Sequence, residues 1–150
     1  MATSFTPIQV KAKIDYLFTQ FWPVMEGVTV RYGDCLRQRA SILAIVNNRT
    51  LSHDDRLFQL DHLDGIGPTI ASGILWSFFP DECVPFDKHT MGYCAVDWKV
   101  VTSNRITDGT YANKCATIVG RLHQHRPPFN SIDDLVRFAA VNRSVEVSPT

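Results

Sequence analysis

The chain has 150 residues, with 15 Lys+Arg against 15 Asp+Glu and a formal net charge of zero, which excludes a polybasic binder that relies on bulk phosphate neutralisation. With 45% hydrophobic and 20% charged residues, disordered, collagenous and coiled-coil chains are excluded as well. At this length a single helical domain over residues 1–143 is expected, able to bury about two-thirds of its unfolded surface, with residues 144–150 as a loose tail.

The first predicted helix starts at Pro7, with Thr6 as N-cap and proline at the first helical position. Its apolar stripe is Ile14, Leu17, Phe18 and Phe21, and Pro23 ends it. A second helix is predicted from about Tyr32 to Val46, with Leu36, Leu43 and Val46 inward and Asn47-Asn48 as its stop. Ser52-His53-Asp54-Asp55 reads as a capping signal for a helix through Leu57, Leu60 and Leu63. Asp64-Gly65-Ile66-Gly67 is a sharp break. Pro68 then opens a strongly apolar helix (Ile70, Ala71, Ile74, Leu75, Phe78) that ends before Pro80. Further on, Asp87 caps a predicted helix over about 88–98, and others are expected at about 110–123 and 132–140. Only Val96 to Val101 hints at a strand. The expected fold class is all-α: a compact multi-helix domain with a central helix-hairpin-helix at about 52–79.

The cysteines, Cys35, Cys83, Cys94 and Cys115, form no Cys-x-x-Cys pair, so neither a zinc site nor an iron–sulfur cluster is expected. No stretch has the length of a membrane span, and no signal peptide is recognisable. The reading is a cytoplasmic chain, associated with nucleoid or nucleus if it acts on DNA, with buried free thiols.

The segment richest in information is Leu60-Asp61-His62-Leu63-Asp64-Gly65-Ile66-Gly67-Pro68-Thr69-Ile70-Ala71. Gly65 can adopt positive φ, Gly67 admits a close approach, Ile66 tucks inward, and Ala71 lets two helices cross tightly. Such a turn aims the first amides of the Pro68 helix outward, an arrangement that binds phosphate without a cationic side chain. Gly65, Ile66, Gly67 and Thr69 are therefore the candidate nucleic-acid contacts, with Lys114, Arg121, Arg126 and the Arg31 to Arg39 cluster supplying charge. Twenty residues beyond Gly67 follows Pro85-Phe86-Asp87-Lys88-His89-Thr90.

Over about residues 32–98 the chain resembles the HhH-GPD superfamily of DNA base-excision glycosylases. The matching residues are Leu63, Gly65, Gly67 and Ala71 in the hairpin, then Pro80, Pro85, Asp87 and His89. The resemblance implies a reduced glycosylase core, duplex DNA with a modified base as partner, and a monovalent cation on the hairpin carbonyls. It implies that Asp87 is the catalytic carboxylate, placed to stabilise an oxocarbenium-like transition state and to orient or deprotonate a water. Taken alone, Asp87 is an N-cap that stabilises its helix by about 1 kcal/mol. Bifunctional members carry a Schiff-base lysine where this chain has Thr69, so a monofunctional enzyme is implied. A flipped base needs a stacking face and polar groups to read its edge; Trp76, Tyr93, Trp98 and His89 are the candidates. Residues 1–31 hold no counterpart of the family's upstream wedge helix, so a homodimer or a partner subunit would supply it. The alternative is a non-catalytic helix-hairpin-helix module that binds DNA or a DNA-processing partner.

The neutral total conceals segregation. Residues 1–49 carry six basic and three acidic side chains, residues 50–98 two and eight, and residues 99–150 seven and four. The hairpin thus lies in an acidic segment between two basic flanks.

Overall fold

The computed structural model describes residues 4–22, 27–80 and 82–85. Among these it is helical throughout, without a strand. Helix α1 spans Pro7–Tyr16 and runs on into a π-helical turn, Leu17–Phe21; α2 is Val28–Arg37, α3 Arg39–Asn47, α4 His53–Asp61 and α5 Pro68–Phe78. The helices predicted beyond Pro85, and the Val96 to Val101 segment, lie outside the described residues.

Helix α1 begins as its sequence dictates. The Thr6 hydroxyl accepts from the Gln9 amide at 3.2 Å, and the Gln9 side chain accepts from the Thr6 amide at 2.9 Å. This closes a capping box around the Pro7 start. The segment before it is tied to the end of α3 by Asn47, which accepts from the Phe5 amide at 2.7 Å and donates to the Phe5 carbonyl at 3.0 Å. Beyond Tyr16 the Trp22 amide bonds back to the Leu17 carbonyl at 2.6 Å. The wider turn lets Leu17, Phe18, Phe21 and Trp22 all be buried.

The core is one cluster drawn from every helix, including Ile14 and Leu17, Cys35, Ile42, Leu57 and Leu60, and Ile74 and Leu75. Helices α4 and α5 pack most extensively against each other. The Trp22 ring lies over Gly73 on α5, where an added Cβ would be 2.6 Å from Trp22 Cζ2. Only glycine permits that approach.

The helix predicted over Tyr32 to Val46 is two helices. α2 begins earlier, at Val28, and Gln38 (φ −108°, ψ 20°) separates it from α3. Cys35, Ile42, Ile45 and Val46 are the buried positions; of the three expected to face inward, Val46 is buried, while Leu36 and Leu43 are only partly buried. The reason is tertiary: the Gln38 side chain pairs with the backbone of Asp64 in the hairpin.

Candidate nucleic-acid interface

Helix α4 is opened by Ser52, whose hydroxyl accepts from the Asp55 amide at 3.1 Å. Asp54 and Asp55 stand in its first turn, where the helix dipole favours negative charge. After Asp61 the chain leaves the helix through two turns. The Leu63 amide bonds to the Leu60 carbonyl at 3.1 Å, and the Ile66 amide to the Leu63 carbonyl at 3.0 Å. Gly65 is the third residue of that second turn and has φ +76°, the positive value a type II turn requires there. Ile66 is buried beneath the turn. Gly67 is the extended N-cap of α5 (φ −102°, ψ −174°), with Pro68 at the first helical position and no side-chain cap. Its Cβ position faces open space. Ala71, fully buried, donates to the Gly67 carbonyl at 2.9 Å. Of the four hairpin residues predicted to contact phosphate, Gly65, Ile66, Gly67 and Thr69 all lie in or directly after this connection.

One side of the hairpin is walled by α2. Gln38 reads the Asp64 backbone twice: its Nε2 donates to the Asp64 carbonyl at 2.7 Å and its Oε1 accepts from the Asp64 amide at 3.0 Å. The same Nε2 donates to the Asp34 carbonyl at 3.0 Å. Arg31 Nη1 donates to the Gly65 carbonyl at 3.2 Å. A guanidinium of the chain itself therefore brings positive charge to the Gly65 carbonyl. Asp34 packs against Gly65 so closely that a Cβ there would lie 2.6 Å from Asp34 Cγ. Arg37 joins Asp34 at 2.8 Å and Asp64 at 3.7 Å. The Arg31 to Arg39 cluster thus divides: Arg31 and Arg37 face the hairpin, while Arg39 bonds the Leu36 carbonyl at 2.6 Å. Sequence reasoning missed Asp34 and Gln38, because nothing local marks a residue of one helix as the clamp of a turn nearly thirty positions away.

Asp61, at the last turn of α4, has a side chain only 5% exposed, with His62 Nδ1 3.9 Å from its Oδ2. Burial pushes its carboxyl above the usual aspartate range, with His62 a smaller opposing influence. His62 donates its Nδ1 hydrogen to the Phe58 carbonyl at 2.8 Å.

Trp76 lies elsewhere. It is nine positions along α5 from Gly67, roughly 14 Å at a helical rise, and 1% exposed. Its ring packs at 4.7 Å from that of Phe21 and 6.4 Å from that of Tyr16. It borders an open cleft of about 400 Å³ between α1 and α5, with Gln9, Lys13, Tyr16 and Pro80. Asp87, His89, Tyr93, Trp98, Lys114, Arg121 and Arg126 lie outside the described residues. Among those described, no group of three or more His, Cys, Asp or Glu side chains is placed to hold a metal ion. No described helix is long and apolar enough to cross a membrane, and the Cys35 and Cys83 side chains are buried. No protein-family model matches the chain, and neither a curated protein nor a solved structure is significantly similar to it.

Proposed function

We propose that the chain binds the backbone of duplex DNA at its hairpin and removes a damaged or modified base as a monofunctional N-glycosylase. The observation that carries this reading is the connection itself. A Gly-Ile-Gly turn with Gly65 at φ +76° leads into a helix that has no side-chain cap and opens on an unobstructed Gly67. Backbone amides at such a terminus receive phosphate, and the half-exposed guanidinium groups of Arg31 and Arg37 reach the preceding turn at the Gly65 carbonyl and the Asp64 carboxylate. Asp87, twenty residues on, is the carboxylate of the reading. It stabilises the oxocarbenium-like sugar and orients the attacking water. Thr69 in place of a Schiff-base lysine leaves an abasic site as the product, and no strand break.

Duplexes containing uracil, alkylated, oxidised or glucosylated bases, incubated with the full chain and then treated with alkali, read this directly. Cleavage after alkali is expected on one class. Asp87→Asn should lower it by roughly a hundredfold or more, the scale of a lost general base, while binding persists. Equal cleavage by Asp87→Asn and the wild-type chain sinks the mechanism.

A second reading, a hairpin module that binds DNA or a DNA-processing partner without chemistry, is favoured by one observation. Trp76, a candidate for the base pocket, packs into the aromatic core far from the hairpin. Binding lost in Gly67→Asp but unchanged in Asp87→Asn, with no base released from any duplex, selects it.

A further inference from the structure

The wall that α2 builds against the hairpin contains a carboxylate where a phosphate ligand is expected. Asp34 is 14% exposed and seated against Gly65, with Arg37 at 2.8 Å from one oxygen and Arg31 at 4.0 Å from the other. A carboxylate between two guanidinium groups has the sign and the two-oxygen acceptor geometry of a backbone phosphate. Resting on the reading of this hairpin as a DNA-backbone site, we propose that Asp34 is a built-in competitor for it. In the free protein it engages Arg31 and Arg37, and on binding a DNA phosphate takes those groups over.

The exposure of the partners decides which of them moves. Arg31 and Arg37 are 46% and 59% exposed, so each is free to change rotamer, and exposed ion pairs are weak and screened by salt. Asp34 is fixed by Gly65 beneath it, and the Gln38 bond to its carbonyl holds its backbone. The arginines therefore turn outward and the aspartate stays. A guanidinium presents five donors in a planar fork that suits phosphate as well as carboxylate, so the two anions compete for the same donors. Asp64, 3.7 Å from Arg37 but almost wholly exposed, adds a weaker contribution of the same kind. The effect is to hold down affinity for ordinary backbone and to flatten its salt dependence.

The test is a fluorescence-anisotropy titration of the full chain with an unmodified 12-base-pair duplex between 50 and 200 mM NaCl. Asp34→Asn keeps the shape of the side chain and an acceptor for Arg37 while removing the charge. Asp34→Ser does the same to the charge should the first variant fold poorly by circular dichroism. Either is expected to bind roughly three- to tenfold tighter at 0.1 M salt. The slope of log K against log salt should steepen by about 0.9 for each phosphate gained. Adding Arg31→Gln and Arg37→Gln should erase both changes. Unchanged affinity and slope in the Asp34 variants, or a gain that survives loss of both arginines, overturns the competitor. If Gly67→Asp still weakens binding in that case, the hairpin reading stands without it. A gain in Asp34→Asn that disappears with the arginines, alongside normal binding by Gly67→Asp, supports the competitor and overturns the hairpin site. No binding by any of these proteins at 50 mM salt overturns both.

Discussion

Asp61 is a carboxyl that the fold holds more easily without its charge. Its side chain is 5% exposed at the C-terminal end of α4, where burial and the negative end of the helix dipole both oppose ionisation. Its folded-state value is raised above the ordinary 3.8. The protonated form is thus the one the fold prefers, and its stabilising contribution is complete below the unfolded value and lost as pH rises through the folded one. Asp61→Asn, which removes that ionisation, should raise the melting temperature at pH 7 and lose the advantage near pH 3. Thermal melts of both proteins across that range check it, and equal melting curves at pH 7 would count against it. Cys35 lies at the same scale. Burial, reinforced by the Asp34 carboxylate and opposed by Arg31, pushes its thiol up to about 12. Its thiolate is therefore negligible at neutral pH, and the residue behaves as a small apolar one.

At the scale of elements, the Trp22–Gly73 contact sets the spacing between the π-helical turn and α5. Gly73→Ala places two effects in opposition. Alanine gains up to about 1 kcal/mol of helix propensity, whereas forcing a methyl group into a filled site costs about 1–3 kcal/mol. The neighbour is a rigid, buried indole rather than the end of a flexible chain, so the second effect wins. Denaturant unfolding of the full chain should show a net loss of about 1–2 kcal/mol for Gly73→Ala, with part of it recovered by adding Trp22→Leu. Some elements were legible from residue order alone. The Thr6-Pro7 start, the Ser52 cap, the Gly65 turn and the extent of α5 each follow from residues that act on their own neighbours. The break at Gln38 and the π-helical turn were not. Glutamine is a good helix former, and only its pairing with Asp64 across the fold explains why the chain turns there. Leu17 to Phe21 carries no proline or glycine, and its widening accompanies the Phe21–Trp76 ring contact and the approach of the following Trp22 to Gly73, which packing creates. The same distinction governs the site: the hairpin was visible, whereas its α2 wall required the tertiary structure.

For the whole molecule, the zero net charge limits how DNA would be held under the proposed function. The segment bearing the hairpin has two basic side chains against eight acidic ones, so few phosphates can be neutralised at once. With two or three phosphate contacts, wild-type affinity should fall by roughly ten- to fortyfold between 50 and 200 mM salt, far less than for a polybasic binder. Anisotropy titrations read the slope directly, and a loss of a thousandfold or more would contradict this limited contact. The two amide clamps, Asn47 on Phe5 and Gln38 on Asp64, are two-point ties between distant parts of the described chain. Each reproduces, with one side chain, the paired donor and acceptor that a neighbouring β-strand would offer. In mechanical terms Gln38 is a coupling pin, because the residue that bends the chain between α2 and α3 is also the one that grips the hairpin. The loop cannot shift as a free flap; displacing Asp64 must either break two hydrogen bonds or drag the α2–α3 bend with it.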